Sequence, residues 1–309
     1  MKFVYYNTSG TGHHKNYDAI QRMCRVCGIE FEATNSFERC KRGDYDILIS
    51  VNCYFDPDFI PNVKIIYGPQ LFAIPSGDIV GPLNPSYKNR AISNSLSQWI
   101  IDYFFEMCNN TFRVELIPLQ FAVDTALFAP TEGVEKDLDC LVYIKHRHNS
   151  VINYALNTLR GTGIKFETVR YGSYNQDHYK HLLSRSKFML CLDAHESQGF
   201  ALQEAMSCGV PLLVWGVKSM HEESSDGYRF VYERYHPKNM LATSVGWWSD
   251  ECGMKFYEES ELEAGIKAMM EKWQTFRPRD FIVRELSERP CVNRILRAFE
   301  LPEISDAKA

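Results

Sequence analysis

The sequence predicts an α/β protein of two units, each alternating strand and helix, with a cleft between them. Three observations predict it. Short apolar runs alternate with helical patterns from residue 2 to residue 117, and the rhythm breaks near 121–134 into Val-Asp-Thr-Ala-Leu-Phe-Ala-Pro-Thr-Glu-Gly. It then restarts at residue 139. Strands separated by helices pair in parallel, and a parallel sheet needs both faces covered. With 309 residues the chain holds material for about two domains, each with its own core.

In the first half, apolar runs at 2–6, 29–33, 45–51, 63–67 and 112–117 read as strands. Helical spacing covers 17–27 and a longer stretch, 89–108. In the second half the strands are 139–144, 164–169, 188–192 and 212–215, and the helices 151–159, 176–184 and 200–207. The tail is helical over 259–273 and 279–299. Pro290 should bend or split the last segment, because an interior proline removes a helix hydrogen bond and clashes with the preceding turn.

The composition excludes several classes. A net charge of -5 argues against a general nucleic-acid binder, although it leaves room for a local basic pocket. The first residues turn polar too soon for a signal peptide. No stretch reaches the roughly 20 apolar residues of a membrane span. The 10 cysteines stand singly, many in apolar patterns such as Cys108, Cys191 and Cys208, and read as reduced thiols of a cytoplasmic protein. Cys24 and Cys27 have a redox-like spacing but no second pair, so zinc is not expected.

Chemistry concentrates between His195 and Val214. An apolar strand ends near Glu196, Gly199 opens a helix, Glu204 lies about one turn inside it, and Gly209 and Pro211 end it. The backbone N–H groups of Gly199, Phe200 and Ala201, with the helix dipole, suit an anion; alternatively Ser197 simply caps a structural helix. Glu204 in apolar surroundings needs partners, which two vicinal ribose hydroxyls or a buried cation could supply. Glu196 could accept from a sugar hydroxyl or be a solvated loop acid, and His195 could be a pocket donor or structural. Lys145 and Arg147 follow the strand 139–144 and could neutralise a diphosphate, or form a solvated cluster. Gly10 and Gly12 make a tight turn after the first strand. They lack the third glycine of a dinucleotide motif and the lysine of a phosphate-binding loop, which sets aside nicotinamide enzymes and P-loop nucleotidases.

Glu196 and Glu204, joined by Ser-Gln-Gly-Phe-Ala-Leu-Gln and followed by Ala205, Gly209 and Pro211, resemble the retaining nucleotide-sugar glycosyltransferases of the glycogen-synthase-like, group 1 superfamily, with its GT-B fold. The segment from Ile117 through Pro118, Phe121 and Asp124 to Pro130 is similar to that family's lead into its second domain. The resemblance implies an acceptor-side Rossmann-like domain over 1–122, a donor-binding one over 123–284 and a helical segment, 285–309, crossing back to the first. It implies Glu204 on the ribose, Glu196 on the donor sugar, Gly199, Phe200 and Ala201 on the distal phosphate, and Gly10 and Gly12 facing the phosphates. It also implies metal-independent transfer with retention, from a UDP- or GDP-sugar to a carbohydrate, lipid-linked or small-molecule acceptor, with no tightly bound cofactor. Lys145 and Arg147 are packed more closely than in the family's basic motif. Tyr67-Gly68-Pro69-Gln70 stands where relatives place a sugar-contacting histidine, which leaves His13 or His14 as substitutes. Peripheral membrane contact is open. The competing accounts are a nucleotide-sugar epimerase and a catalytically inactive scaffold on the same fold.

Overall fold

The computed structural model describes residues 1–8, 14–51, 53–69, 80–107, 111–223 and 241–305. Two compact units share the chain: Met1–Ala122 with Leu286–Ala309, and Val123–Glu285.

The first unit runs β1 (Lys2–Asn7), α1 (His14–Val26), β2 (Glu30–Thr34), α2 (Phe37–Cys40), β3 (Ile47–Val51), β4 (Lys64–Tyr67), β5 (Ala91–Asn94), α3 (Gln98–Met107) and β6 (Glu115–Ile117). Its strands pair in parallel in the order β2-β1-β3-β4-β5-β6. Val4, Tyr6, Leu48, Ile65 and Tyr67 form one layer of its core. The expected single helix over 89–108 is instead a strand followed by a helix. Ala91–Asn94 is buried and pairs with β4, and four residues are too few for periodicity to separate helix from strand. Asn94 then ends the strand: its Oδ1 accepts from the Leu96 and Leu119 N–H groups, and its Nδ2 donates to the Leu119 carbonyl.

The second unit runs β7 (Leu138–Lys145), α4 (Asn149–Thr162), β8 (Phe166–Arg170), α5 (Gln176–Arg185), β9 (Ser186–Asp193), α6 (Phe200–Ser207), β10 (Leu212–Trp215), β11 (Gly253–Phe256), α7 (Leu262–Lys272) and α8 (Pro278–Leu286). Its parallel order is β11-β10-β9-β7-β8. Cys140, Val142 and Ile144 of β7 and Phe188, Leu190 and Leu192 of β9 pack with α4 and α7 on one face. The alternate residues Leu141, Tyr143, Met189 and Cys191 are buried as well, so both faces are covered. β11 was not anticipated from Gly-Met-Lys-Phe, a tetrapeptide with little strand signature.

The chain returns to the first unit through α9 (Glu288–Ala298), which buries Cys291, Val292, Ile295 and Leu296. Arg22 of α1 bonds Glu288 at 2.7 Å and the Ala122 carbonyl at 2.6 Å. The helical tail splits at Ser287, ahead of Pro290. That proline sits in the first turn of α9, where a missing N–H costs nothing. The nine described cysteines are free thiols, and Cys108 lies outside the described residues. Among the described residues no helix is long and apolar enough to cross a membrane.

In the second unit β8 lies on one side of β7, and β9, β10 and β11 on the other. Successive crossovers therefore diverge between β7 and β9, which makes their carboxyl ends the switch point of the sheet. Open α/β sheets bind ligands at such a switch point.

Candidate functional site

β7 and β9 bring the expected residues of the second unit to that switch point. Lys145, the last residue of β7, stands in register with Asp193, the last of β9. Neighbours in parallel register point to the same side of the sheet. Lys145 Nζ donates to Glu196 Oε1 at 2.6 Å and lies 3.8 Å from Asp193 Oδ2. All three groups are shielded from water, with the Asp193 side chain fully buried. Burial works against charge on each. The two carboxylates nonetheless hold Lys145 above the usual ammonium range, and Lys145 holds Glu196 below the usual carboxylate range. Asp193, farther from the cation, is pushed well above that range by burial.

Beyond β7, His146 adopts φ 51°, a left-handed conformation uncommon outside glycine. Burial lowers its pKa, and Glu223 opposes that effect. Arg147 is buried over the Trp215 ring, 5.8 Å from its centroid, with Nη2 3.2 Å from Glu222 Oε2. Burial lowers the Arg147 pKa against the opposing pull of Glu222. Glu223 sits between two imidazoles: its Oε2 is 2.9 Å from His195 Nδ1 and its Oε1 3.4 Å from His146 Nδ1. Lys145 also lies over the exposed ring of Tyr171, 4.8 Å from the centroid.

α6 is positioned by its ends. Its N-cap is Gly199 at φ 73°, ψ 41°, a left-handed conformation that suits glycine. Gln198 and Gln203 tie the preceding loop to the helix. Gln198 Nε2 donates to Gln203 Oε1 at 2.7 Å, and Gln203 Nε2 donates to the Gln198 carbonyl at 2.6 Å. At the other end, Arg279 donates to the Ser207 carbonyl at 2.6 Å and to the Phe128 and Thr125 carbonyls at 3.3 Å. It thereby satisfies the carbonyl end of the helix and anchors the segment entering the unit. Phe200 and Ala201 lie in the first turn, beside the positive end of the dipole. Glu204 is 4% exposed and is not without a partner in the chain, so its burial alone does not require a ligand. Burial raises the Tyr174 pKa, and Glu204 and then Glu196 raise it further, which places both carboxylates near one phenol.

The switch point thus gathers Lys145, Arg147, His195 and Glu196, and α6, which begins at Phe200, carries Ala201 and Glu204. Gly10, Gly12 and His13 lie outside the described residues, while His14 opens α1. Sequence reasoning passed over Asp193, His146, Glu222 and Glu223. Only the sheet register reveals Asp193, and the two glutamates reach the site from a turn remote in sequence. Among the described residues no cluster of His, Cys, Asp or Glu is arranged to hold a metal.

No protein-family model and no curated protein matches this chain. Solved structures do. A sucrose-phosphate synthase from Thermosynechococcus elongatus superposes with a TM-score of 0.57 at 10% identity, over 97% of this chain and 98% of that one. Anabaena HepE in complex with UDP and glucose gives 0.54 at 11% identity, over 97% and 99%. The lipopolysaccharide outer core galactosyltransferase WaaB, in its apo form, gives 0.53 at 11%, over 97% and 99%. At such identity the likeness is one of fold: the two Rossmann-like units of the GT-B architecture.

Proposed function

We propose that this protein is a glycosyltransferase that moves a sugar from a nucleoside-diphosphate sugar to an acceptor hydroxyl. The observation that carries the reading is the meeting of Lys145, Arg147 and Glu196 at the β7–β9 switch point with α6, which opens at Gly199 and holds Glu204. Glu204 would accept from the two ribose hydroxyls and Glu196 from a hydroxyl of the donor sugar. The α6 N-terminus at Gly199, Phe200 and Ala201 would face the distal phosphate. Lys145 and Arg147 supply the positive charge that a departing diphosphate needs. In the retaining reaction the acceptor oxygen bonds to the anomeric carbon as the carbon–oxygen bond to diphosphate breaks. The hydroxyl proton passes to the leaving phosphate on the same face, with no step assigned to a metal. His195, held by Glu223, lies beside Glu196 as a further polar contact. The first unit would hold the acceptor. The UDP and glucose bound to the similarly folded HepE support a UDP-sugar donor, with a GDP-sugar the other candidate.

One observation favours the inactive-scaffold reading: Lys145, Arg147 and His195 already face Glu196, Glu222 and Glu223. A thermal-shift screen against UDP, GDP, ADP, CMP and their sugar conjugates separates the two, a selective rise being expected for the transferase. Glu204→Ala should then weaken nucleotide binding by calorimetry about tenfold or more, since hydrogen bonds to a charged group are lost. Unchanged affinity would remove the ribose assignment, and absence of any nucleotide binding would favour the scaffold.

A further inference from the structure

Three acidic or basic side chains share one dry space at the ends of β7 and β9, and their charges do not balance if all ionise. Lys145 brings one positive charge, Glu196 and Asp193 two negative ones. Distance decides which carboxylate takes the ion pair: Glu196 at 2.6 Å, not Asp193 at 3.8 Å. Asp193 Oδ1 accepts the His195 backbone N–H at 3.4 Å, whereas no group donates a hydrogen bond to the buried Oδ2. An ionised Asp193 would leave a buried anionic oxygen without a donor, which is costly. Carrying the proton, Oδ2 instead becomes a donor toward the neighbouring Glu196 carboxylate. The backbone on both sides is fixed, by Ser244 Oγ donating to the Asp193 carbonyl at 2.9 Å and by the Glu196 N–H donating to the Thr243 carbonyl at 2.9 Å.

Resting on the donor-site reading above, we infer that Asp193 is a positioning residue, an uncharged carboxyl that braces the Lys145–Glu196 ion pair so that Glu196 meets the donor sugar and Lys145 its diphosphate. Asp193 touches no substrate; it acts through the pair. The arrangement keeps the dry cluster neutral before a doubly charged ligand arrives. If Asp193 ionised, a second negative charge would stand behind Lys145 and oppose the diphosphate.

The charged and titratable groups facing Asp193 are Lys145, Glu196, His195, Arg147, Tyr143 and Cys191. Burial pushes the Tyr143 phenol and the Cys191 thiol well above their ordinary values, so both stay neutral as the medium turns alkaline. The sign for Asp193 follows. Its folded pKa lies above the unfolded one, so its contribution to stability is full below the unfolded value and is lost as pH rises through the folded value. UDP affinity should decline over the alkaline part of the same range.

The test uses the full chain with UDP as probe. Asp193→Asn, an isosteric neutral donor, should keep UDP affinity within about twofold, while Asp193→Leu, which cannot donate, should lose about tenfold or more. From neutral to alkaline pH the wild-type affinity should fall and that of the Asn variant should not. The infrared carbonyl band of a protonated carboxylic acid at neutral pH should vanish in Asp193→Asn, and this variant's advantage in thermal midpoint should widen as pH rises. The proposal is overturned by an Asn variant as weak as the Leu variant, by an alkaline fall that persists in it, or by an infrared band that does not change. If Asp193→Leu does not fold, the Asn variant's pH profile and band decide. If no nucleotide binds the wild type, the donor-site reading fails and the positioning role with it. The band and the pH-dependent midpoint then still decide separately whether Asp193 is a neutral brace for the pair.

Discussion

Lys145 and Glu196 are coupled closely enough that neither can be altered alone without consequence for the other. Removing one partner of a buried pair leaves the second charge uncompensated, at a cost of about 3 kcal/mol or more. Lys145→Met should therefore lower the thermal midpoint as well as turnover. Adding Glu196→Gln should restore most of the lost stability but none of the turnover, which a thermal-denaturation double-mutant cycle beside a transfer assay would read. A midpoint unchanged in the single variant would mean that the pair is too well solvated to matter. The burial of Lys145 and Arg147 sets aside the solvated cluster that the sequence left open for them. The residue types at Lys145, Arg147, Glu196 and Glu204 were legible in the sequence because charge at strand ends and in an apolar helix is conspicuous. Asp193 was not: at the end of an apolar run it reads as an ordinary strand terminus, and only its register opposite Lys145 gives it meaning.

At the scale of elements, α6 and β10 emerged from the sequence with their observed bounds, Phe200–Ser207 and Leu212–Trp215. Both are bracketed by Gly199, Gly209 and Pro211, residues that set backbone direction locally. β5 and β11 did not emerge, because short strands acquire their hydrogen bonds from neighbours that lie far away in sequence. Gly253, which opens β11, has φ 144°, and a Cβ there would lie 2.0 Å from the Leu212 carbonyl oxygen. Gly253→Ala should therefore unpair β11 from β10 and destabilise the second unit by about 2 kcal/mol or more. Faster hydrogen exchange confined to β10 and β11 would report it. An unaltered exchange pattern would show that the strand pair can shift to admit a methyl group.

At the scale of the whole molecule, each unit has a core of its own, and the tail belongs to the first. Cys291, Val292, Ile295 and Leu296 of α9 are buried there, and Arg22 bonds Glu288 from α1. Burying three aliphatic side chains stabilises by about 5 kcal/mol or more. Deletion of residues 287–309 should therefore lower the calorimetric transition of the first unit and leave that of the second in place. Two transitions falling together would show that the units unfold cooperatively. By itself the sequence determined the α/β class, the restart of the strand–helix rhythm after residue 134, the reach of α6 and the candidate carboxylates and cations. These follow from periodicity, from glycine and proline, and from charge in apolar company, all of which act within a few residues. Only the tertiary structure decided that Asp193 stands beside Lys145, that Glu222 and Glu223 face Arg147 and the two histidines, and that Arg279 closes the end of α6. Those contacts arise from strand register and from crossovers that bring distant segments together. Local sequence preferences do not encode the order in which parallel strands assemble.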